Sequence, residues 1–195
     1  ANKALISKHG DELFAAAKEH GAPLHYEASV CGGIPIIKVM RESLTANTVT
    51  RISGILNGTC NYILTRMEED GLSFEACLKD AQELGFAEAD PTFDIEGNDT
   101  AHKLAILTSL AFGTTIASDA IYLEGITRIS IEDIEAAKEL GYRIKLLGIA
   151  TKTASGVESR VHPAMVPLGS AIAEIGGVTN AVAVEADTVG NLMMY

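Results

Sequence analysis

The 195 residues carry 26 Asp and Glu against 15 Lys and Arg, a formal net charge of −11. Such a chain has no basic stripe with which to release counterions from a phosphate backbone, and it is repelled by anionic membranes, so nucleic acid and bilayer surfaces are poor partners. With 47% hydrophobic and 21% charged residues it reads as a folding sequence rather than a disordered one, long enough for one large domain.

In chain order, residues 7–20 (SKHGDELFAAAKEH) are expected to form a helix with Leu13, Phe14 and Ala17 on one face, ended by Gly21 and Pro23. PLHYEASV, residues 23–30, is predicted as a strand and is punctuated by Gly32 and Gly33. IPIIKVMRESL fits a second helix, with Pro35 tolerated in its first turn. TVTRISGIL alternates polar and apolar residues as a half-buried strand does, and NGT turns the chain into a helix over CNYILTRMEED. Ser73 is the expected N-cap of a helix over 73–84, with Glu75 in the first turn where the helix dipole favours an acid, and Gly85 stops it. An acidic loop follows, then an apolar helix near 99–112 closed by Gly113. Ser130 with Asp133 resembles a capping box for a helix that runs to Leu140. YRIKLLGIAT, VESRVHPAMV, NAVAVEAD and VGNLMMY are predicted strands, with a short helix around 168–175. No repeat or low-complexity linker intervenes, and one α/β domain with its sheet covered by helices is the simplest architecture.

Three widely spaced cysteines, Cys31, Cys60 and Cys77, fit a reducing compartment better than a disulfide framework or a zinc site. The N-terminus lacks the order of a signal peptide, and the longest apolar run, around 104–117, is too short and too polar to span a bilayer. A cytoplasmic protein is expected. The chain starts without methionine and ends inside an apolar, strand-like run, so it is expected to be an excised piece of a longer protein.

The stretch GFAEADPTFDIEGNDTAHKLAIL, residues 85–107, sets Glu88, Asp90, Asp94, Glu96 and Asp99 ahead of Lys103. With Asp99 near a helix start, Lys103 lies four residues on along the same face, within ion-pair reach, on a stripe continued by Ile106, Leu107 and Leu110. A lysine at the edge of a buried face, balanced between desolvation and a carboxylate, exchanges a proton with a substrate hydroxyl. The plain alternative is a surface ion pair whose lysine stem snorkels over apolar residues. A calcium loop fails: with Gly97 at the sixth position, Thr92 falls first and Lys103 stands where the bidentate Glu belongs. G-x-S-x-G, a Walker loop, H-E-x-x-H and G-x-G-x-x-G are all missing, and His9, His20, His25, His102 and His162 show no ligand spacing.

The segments ANKALISKHGDELF, YEASVCGGIPIIKVMRE, YRIKLLGIA and above all the block from Gly54 to Leu107 closely resemble homoserine dehydrogenase, of the monofunctional bacterial type. The resemblance covers nearly the whole chain. It implies that residues 1–195 are one substrate-binding, catalytic and dimerisation domain with a mixed sheet covered by helices, and that an NAD(P)-binding Rossmann domain lies upstream, outside the sequence. The implied reaction is the NAD- or NADP-dependent interconversion of L-homoserine and L-aspartate 4-semialdehyde by a homodimer, with this chain inactive or nearly so alone. A non-catalytic dimerisation or amino-acid-binding module on the same scaffold is the alternative from a different class.

By the same resemblance, Lys103 matches the acid/base lysine, and Glu88 and Asp99 match the acids that hold the substrate's ammonium group, with Asp94 and Thr59 in the same pocket. Lys3 matches a lysine near cofactor and substrate, and Gly85 a backbone position beside the nicotinamide. As plain structure, Lys3 is a terminal lysine and Gly85 a helix stop. The main-chain oxygens of Glu27, Val30, Gly32 and Ile34 match a loop that holds a sodium or potassium ion, although a strand-to-helix turn explains the two glycines equally well. Phe86 departs from the family, which often has Tyr there, so a hydroxyl near the substrate is lost.

Overall fold

The computed structural model describes residues 2–195. Six strands, β1 (Val49–Ile55), β2 (Tyr122–Leu123), β3 (Tyr142–Thr153), β4 (Gly156–Pro167), β5 (Ala181–Ala186) and β6 (Gly190–Met194), form one sheet in the order β2-β4-β3-β1-β5-β6. The sheet is mixed: β2 runs parallel to β4 and every other neighbour is antiparallel. The long β3–β4 hairpin is its spine.

Seven helices accompany it: α1 (Lys3–Glu19), α2 (Ile36–Lys38), α3 (Gly58–Asp70), α4 (Phe74–Glu83), α5 (Thr92–Ile95), α6 (Asn98–Phe112) and α7 (Ile131–Glu139). Their ends follow the local chemistry of the sequence. Ser73 accepts the Ala76 N–H, Ser130 and Asp133 form a reciprocal capping box, and Gly71 and Gly113 end α3 and α6 in the left-handed conformation.

Strand alternation divides the sheet into a clad face and an open one. Ile52, Leu146, Ala150, Val182 and Val184 join the main core with Leu104 and Leu107 of α6 and Ile63 and Leu64 of α3. Gly148 on β3 lets α6 lie close, because a Cβ there would come within 3.1 Å of Leu56 and 3.2 Å of Thr100. Leu147, Ile149, Val166 and Ala181 point to the other side, where Ala173 and Ile175 of the β4–β5 connection cover one end. The rest of that side is an open groove of about 810 Å³.

Several expected elements differ. Residues 23–30 form no strand; the chain runs irregularly into a 3₁₀ turn at Glu27–Ser29, because the Glu27 carboxylate turns inward to accept the N–H groups of Ile37 and Lys38, each at 2.8 Å. The second helix is a single α-turn that widens into a π-turn at Val39–Ser43. The expected helix at 168–175 is a series of turns, since Gly169 sits at φ 82° and breaks any helical run. The first helix begins earlier than expected, at Lys3, and kinks at His9. Two short elements, α5 and β2, were not anticipated. Among the described residues no helix is long and apolar enough to cross a membrane.

Candidate active site

Three elements converge at one end of the clad face. Strand β1 ends at Ile55, Leu56 follows it, and Asn57 caps α3 by accepting the Cys60 N–H at 2.8 Å. Pro91 opens the single turn α5, and Gly97 at φ 85° reverses the chain into α6. In the first turn of α6, Asp99 occupies the end where the helix dipole favours a carboxylate.

Asp99 is buried and its carboxylate accepts three hydrogen bonds. Lys103, one turn on, donates to Oδ2 at 2.7 Å; Lys3 of α1 donates to Oδ1; Asn57 Nδ2 donates to Oδ2 at 2.9 Å. Burial pushes this carboxyl up, but the Lys103 charge and the hydrogen bonds from Lys103, Lys3 and Asn57 outweigh it and hold the group below the ordinary carboxylate range. Asp94 differs. It receives one bond, from Asn57 Nδ2 at 2.8 Å, and burial keeps its carboxyl raised against that bond and both lysines, with the Asp99 charge adding to the rise.

Lys103 also donates to the Leu56 carbonyl at 2.6 Å, and its side chain is 14% exposed. An ammonium has three N–H groups. Two are spent, and the third has no partner among the described residues. Lys3 retains 32% of its side-chain surface and lies 5.7 Å over the Phe93 ring, which meets His102 edge-on at 5.2 Å. Burial, then the Lys3 charge, push the His102 pKa down. The Cys60 thiol donates to the Asp94 main-chain oxygen at 3.2 Å; burial and the two aspartates hold it well above the ordinary range, so it stays neutral.

Thr59, Gly85 and Glu88, also singled out by sequence, lie outside this hydrogen-bonded knot. Thr59 donates to the Phe86 carbonyl at 2.6 Å and so pins the α4–α5 connection to α3, helped by the edge-on contact of Phe86 with Tyr62 at 5.0 Å. Gly85, at φ 77°, terminates α4, and the space a side chain would fill there is open. Glu88 is exposed and holds Gln82 through its main-chain oxygen; its carboxylate makes no bond to Lys3, Lys103 or Asp99. Two hollows, the open-face groove and a cleft of about 650 Å³ between α1 and α6, are lined by neither Lys103 nor Asp99.

In the loop after residue 26, Cys31 at φ 49° and Gly33 at φ 92° re-aim successive carbonyls. The main-chain oxygen of Glu27 accepts from Val30 N at 3.3 Å and that of Ile34 from Ile36 N at 2.8 Å, while those of Val30 and Gly32 receive no donor among the described residues. Among those residues no group of three or more His, Cys, Asp or Glu side chains could hold a metal ion. Any ion at this loop is therefore a matter for carbonyl oxygens.

Sequence reasoning missed Asn57 and the Leu56 carbonyl. An Asn before a helix signals a cap, but nothing local announces that its amide reaches carboxylates 37 and 42 residues away. It also missed Lys145, a polar residue inside a strand-like run that turns out to be fully buried.

The profile of the homoserine dehydrogenase family matches residues 35–195. The homoserine dehydrogenases of Neisseria gonorrhoeae and Pseudomonas aeruginosa are each 53% identical over 195 residues, which is 100% of this chain and 45% of theirs. The chain thus spans about half the length of the curated relatives it matches. A crystal structure of a homoserine dehydrogenase from Thiobacillus denitrificans superposes with a TM-score of 0.97 at 53% identity, over 98% of this chain and 44% of that one. A hyperthermophilic archaeal homoserine dehydrogenase mutant in complex with NADPH superposes at 0.83 with 27% identity, over 99% of this chain and 55% of the other.

Proposed function

The chain belongs to the homoserine dehydrogenase family, and from that premise we propose that it is the substrate-binding and catalytic domain of an NAD(P)-dependent oxidoreductase interconverting L-homoserine and L-aspartate 4-semialdehyde. Residues 1–195 form that domain, and the Rossmann domain that binds most of the cofactor lies outside this sequence. The observation that carries the reading is the Lys103 ammonium, held by the Leu56 carbonyl and the Asp99 carboxylate with one N–H left over.

A nicotinamide cofactor supplies a hydride to the aldehyde carbon. The C=O bond opens, and the spare Lys103 N–H gives its proton to the oxygen that becomes the alcohol; in the oxidative direction the neutral amine takes the proton back. Asp99 orients Lys103 and balances its charge. Lys3 adds a second positive charge beside the developing alkoxide, where a fixed cation lowers the barrier. Asp94, whose second oxygen is unengaged, and the exposed Glu88 provide negative charge for the substrate's ammonium group together with Asp99, and Thr59 keeps the Phe86 wall in place. At Gly85 the open space beside the backbone fits the close approach of a flat ring. The Glu27, Val30, Gly32 and Ile34 oxygens form a hard donor set suited to sodium or potassium, and the two without donors favour such an ion.

The reaction belongs to the aspartate-derived route to threonine, methionine and isoleucine, in the cytoplasm. A second copy of the chain packs on the open sheet face, where Leu147, Ile149, Val166 and Met193 floor the groove, giving a homodimer.

The test is Lys103→Ala in the full-length protein that carries this chain. Turnover of aspartate semialdehyde is expected to fall by about two orders of magnitude or more while the circular dichroism spectrum is kept. Near-normal turnover would remove Lys103 from the chemistry.

A further inference from the structure

Asn57 sits at the one point where the proton-handling group and both aspartates meet. It is 5% exposed, and its carboxamide is fixed at both ends. Oδ1 accepts the Cys60 N–H at 2.8 Å, while the two hydrogens of Nδ2 go to Asp94 Oδ1 at 2.8 Å and Asp99 Oδ2 at 2.9 Å. A flipped amide would set its N–H groups against the Cys60 N–H and its oxygen against two carboxylates, so only one orientation is compatible with these partners. Both hydrogens are spent within the protein, and none remains for a ligand.

The consequence reaches Lys103. Asn57 and Lys103 donate to the same Asp99 oxygen, and the neighbouring residue, Leu56, accepts a second Lys103 hydrogen at 2.6 Å. The direction of the remaining Lys103 N–H is therefore set by the Leu56 carbonyl and Asp99 Oδ2, and Asn57 acts on it by holding that same Asp99 oxygen. Without the shared amide, two carboxylates from α5 and α6 would face each other with only lysines to separate them.

We propose that Asn57 is a positioning residue, whose carboxamide fixes the spacing of Asp94 and Asp99 and thereby aims the Lys103 ammonium, without touching substrate. The inference rests on Lys103 being the proton donor. Its side chain is an acceptor toward α3 and a donor toward the acids, and substitution separates those two duties. Asn57→Ser keeps an oxygen at the cap, where Ser is as good as Asn, but has no pair of N–H groups. Asn57→Asp keeps shape and cap but adds a third carboxylate.

The experiment is steady-state kinetics across pH on both variants of the full-length protein, with circular dichroism as the check on folding. The groups facing the two aspartates are Lys3 of α1, Lys103 and His102 of α6, the Cys60 thiol of α3, the Cys31 thiol of the loop before α2, and each other. For Asn57→Ser, kcat is expected to fall about tenfold or more, and KM to rise by a smaller factor because Asp94 and Asp99 also face the substrate's ammonium group. The acidic limb of the rate profile should move up by about one pH unit, because the ionised carboxylates lose a donor. Asn57→Asp should move both further.

A serine variant with wild-type kcat and an unmoved acidic limb would overturn the proposal, as would a rate loss that only tracks lost folded protein. Should the serine variant not fold, the aspartate variant carries the test, and loss of fold in both would reduce Asn57 to a helix cap. If the unaltered protein fails to reduce aspartate semialdehyde, it is the proposed reaction that falls. Asn57 is then judged by carboxyl-carbon NMR of labelled aspartate in the same protein. Raised Asp94 and Asp99 titrations in the serine variant support the positioning role, and unchanged ones overturn it.

Discussion

Lys103 and Lys145 are both withdrawn from water, and each lies beside an asparagine network at the start of α3, yet the two are held in opposite ways. Asn57 turns its amide hydrogens toward the acids that neutralise Lys103, and Lys103 itself lies 2.7 Å from a carboxylate. One turn later Asn61 turns its oxygen to Lys145 at 3.1 Å and spends its hydrogens on the Ile175 and Thr179 carbonyls. Lys145 finds a second neutral acceptor in the Ile175 carbonyl at 2.7 Å and is 1% exposed. Desolvation, helped by the Arg143 charge, lowers its pKa to about 8, while Glu68 and Glu174 oppose only in part. Burial beside a guanidinium thus drives Lys145 toward neutrality.

The sharpest way to break this contrast is Asp99→Asn, which strips the carboxylate from two lysines at once. Breaking a buried pair leaves uncompensated charge and is expected to cost about 3 kcal/mol or more of unfolding free energy at pH 7, read by urea titration. The sign follows from the lowered Asp99 pKa. Its stabilisation is complete above the unfolded carboxylate value and disappears as the pH drops through the folded one, so the loss should shrink in acid. An equal loss at pH 7 and in strong acid would show that charge is not the cause.

For the other lysine the expected effect is a slope. Unfolded, Lys145 holds its proton to about the ordinary 10.5; folded, it releases it near 8. Between those values the unfolded chain binds more protons, so stability rises with pH, by about 3 kcal/mol over the window. Lys145→Met, compared with the unaltered protein in urea titrations from pH 7 to 10.5, should lack that rise. Parallel curves would mean that Lys145 stays charged throughout. The smallest effect belongs to an exposed pair with the same i, i+4 spacing as Asp99 and Lys103. Lys79 and Glu83 lie 3.7 Å apart in solvent, and Lys79→Ala should change stability by less than about 0.5 kcal/mol.

That last pair shows what a sequence conceals. The spacing of Asp99 to Lys103 and that of Lys79 to Glu83 differ only in the order of their charges, and what separates them is the apolar stripe behind Lys103. Local signals were legible because their physics is local: the Ser73 and Ser130 caps, the stops at Gly85 and Gly113, and the alternation that builds β1. Residues 23–30 misled because their extended look is imposed by distant partners, with Glu27 reaching forward ten residues to the start of α2. The run at 168–175 has helical composition but is closed by Gly169 and tied to β3 through Arg143, which donates to the Ala173 carbonyl. In the site, Lys103 and Asp99 could be paired on paper, whereas Lys3 reaches Asp99 across 96 residues and Asn57 across 42. Only the fold, or a likeness to relatives already folded, brings those together.

Glu27 serves two masters. Its carboxylate starts α2, and its main-chain oxygen belongs to the carbonyl set proposed for a monovalent ion. Truncating the side chain would unfasten the helix start and drag the loop with it, so a loss of ion affinity in such a variant would report on α2 rather than on coordination. The informative edit is to the backbone: an ester in place of the amide that follows Glu27 weakens the carbonyl as a ligand and leaves the carboxylate untouched.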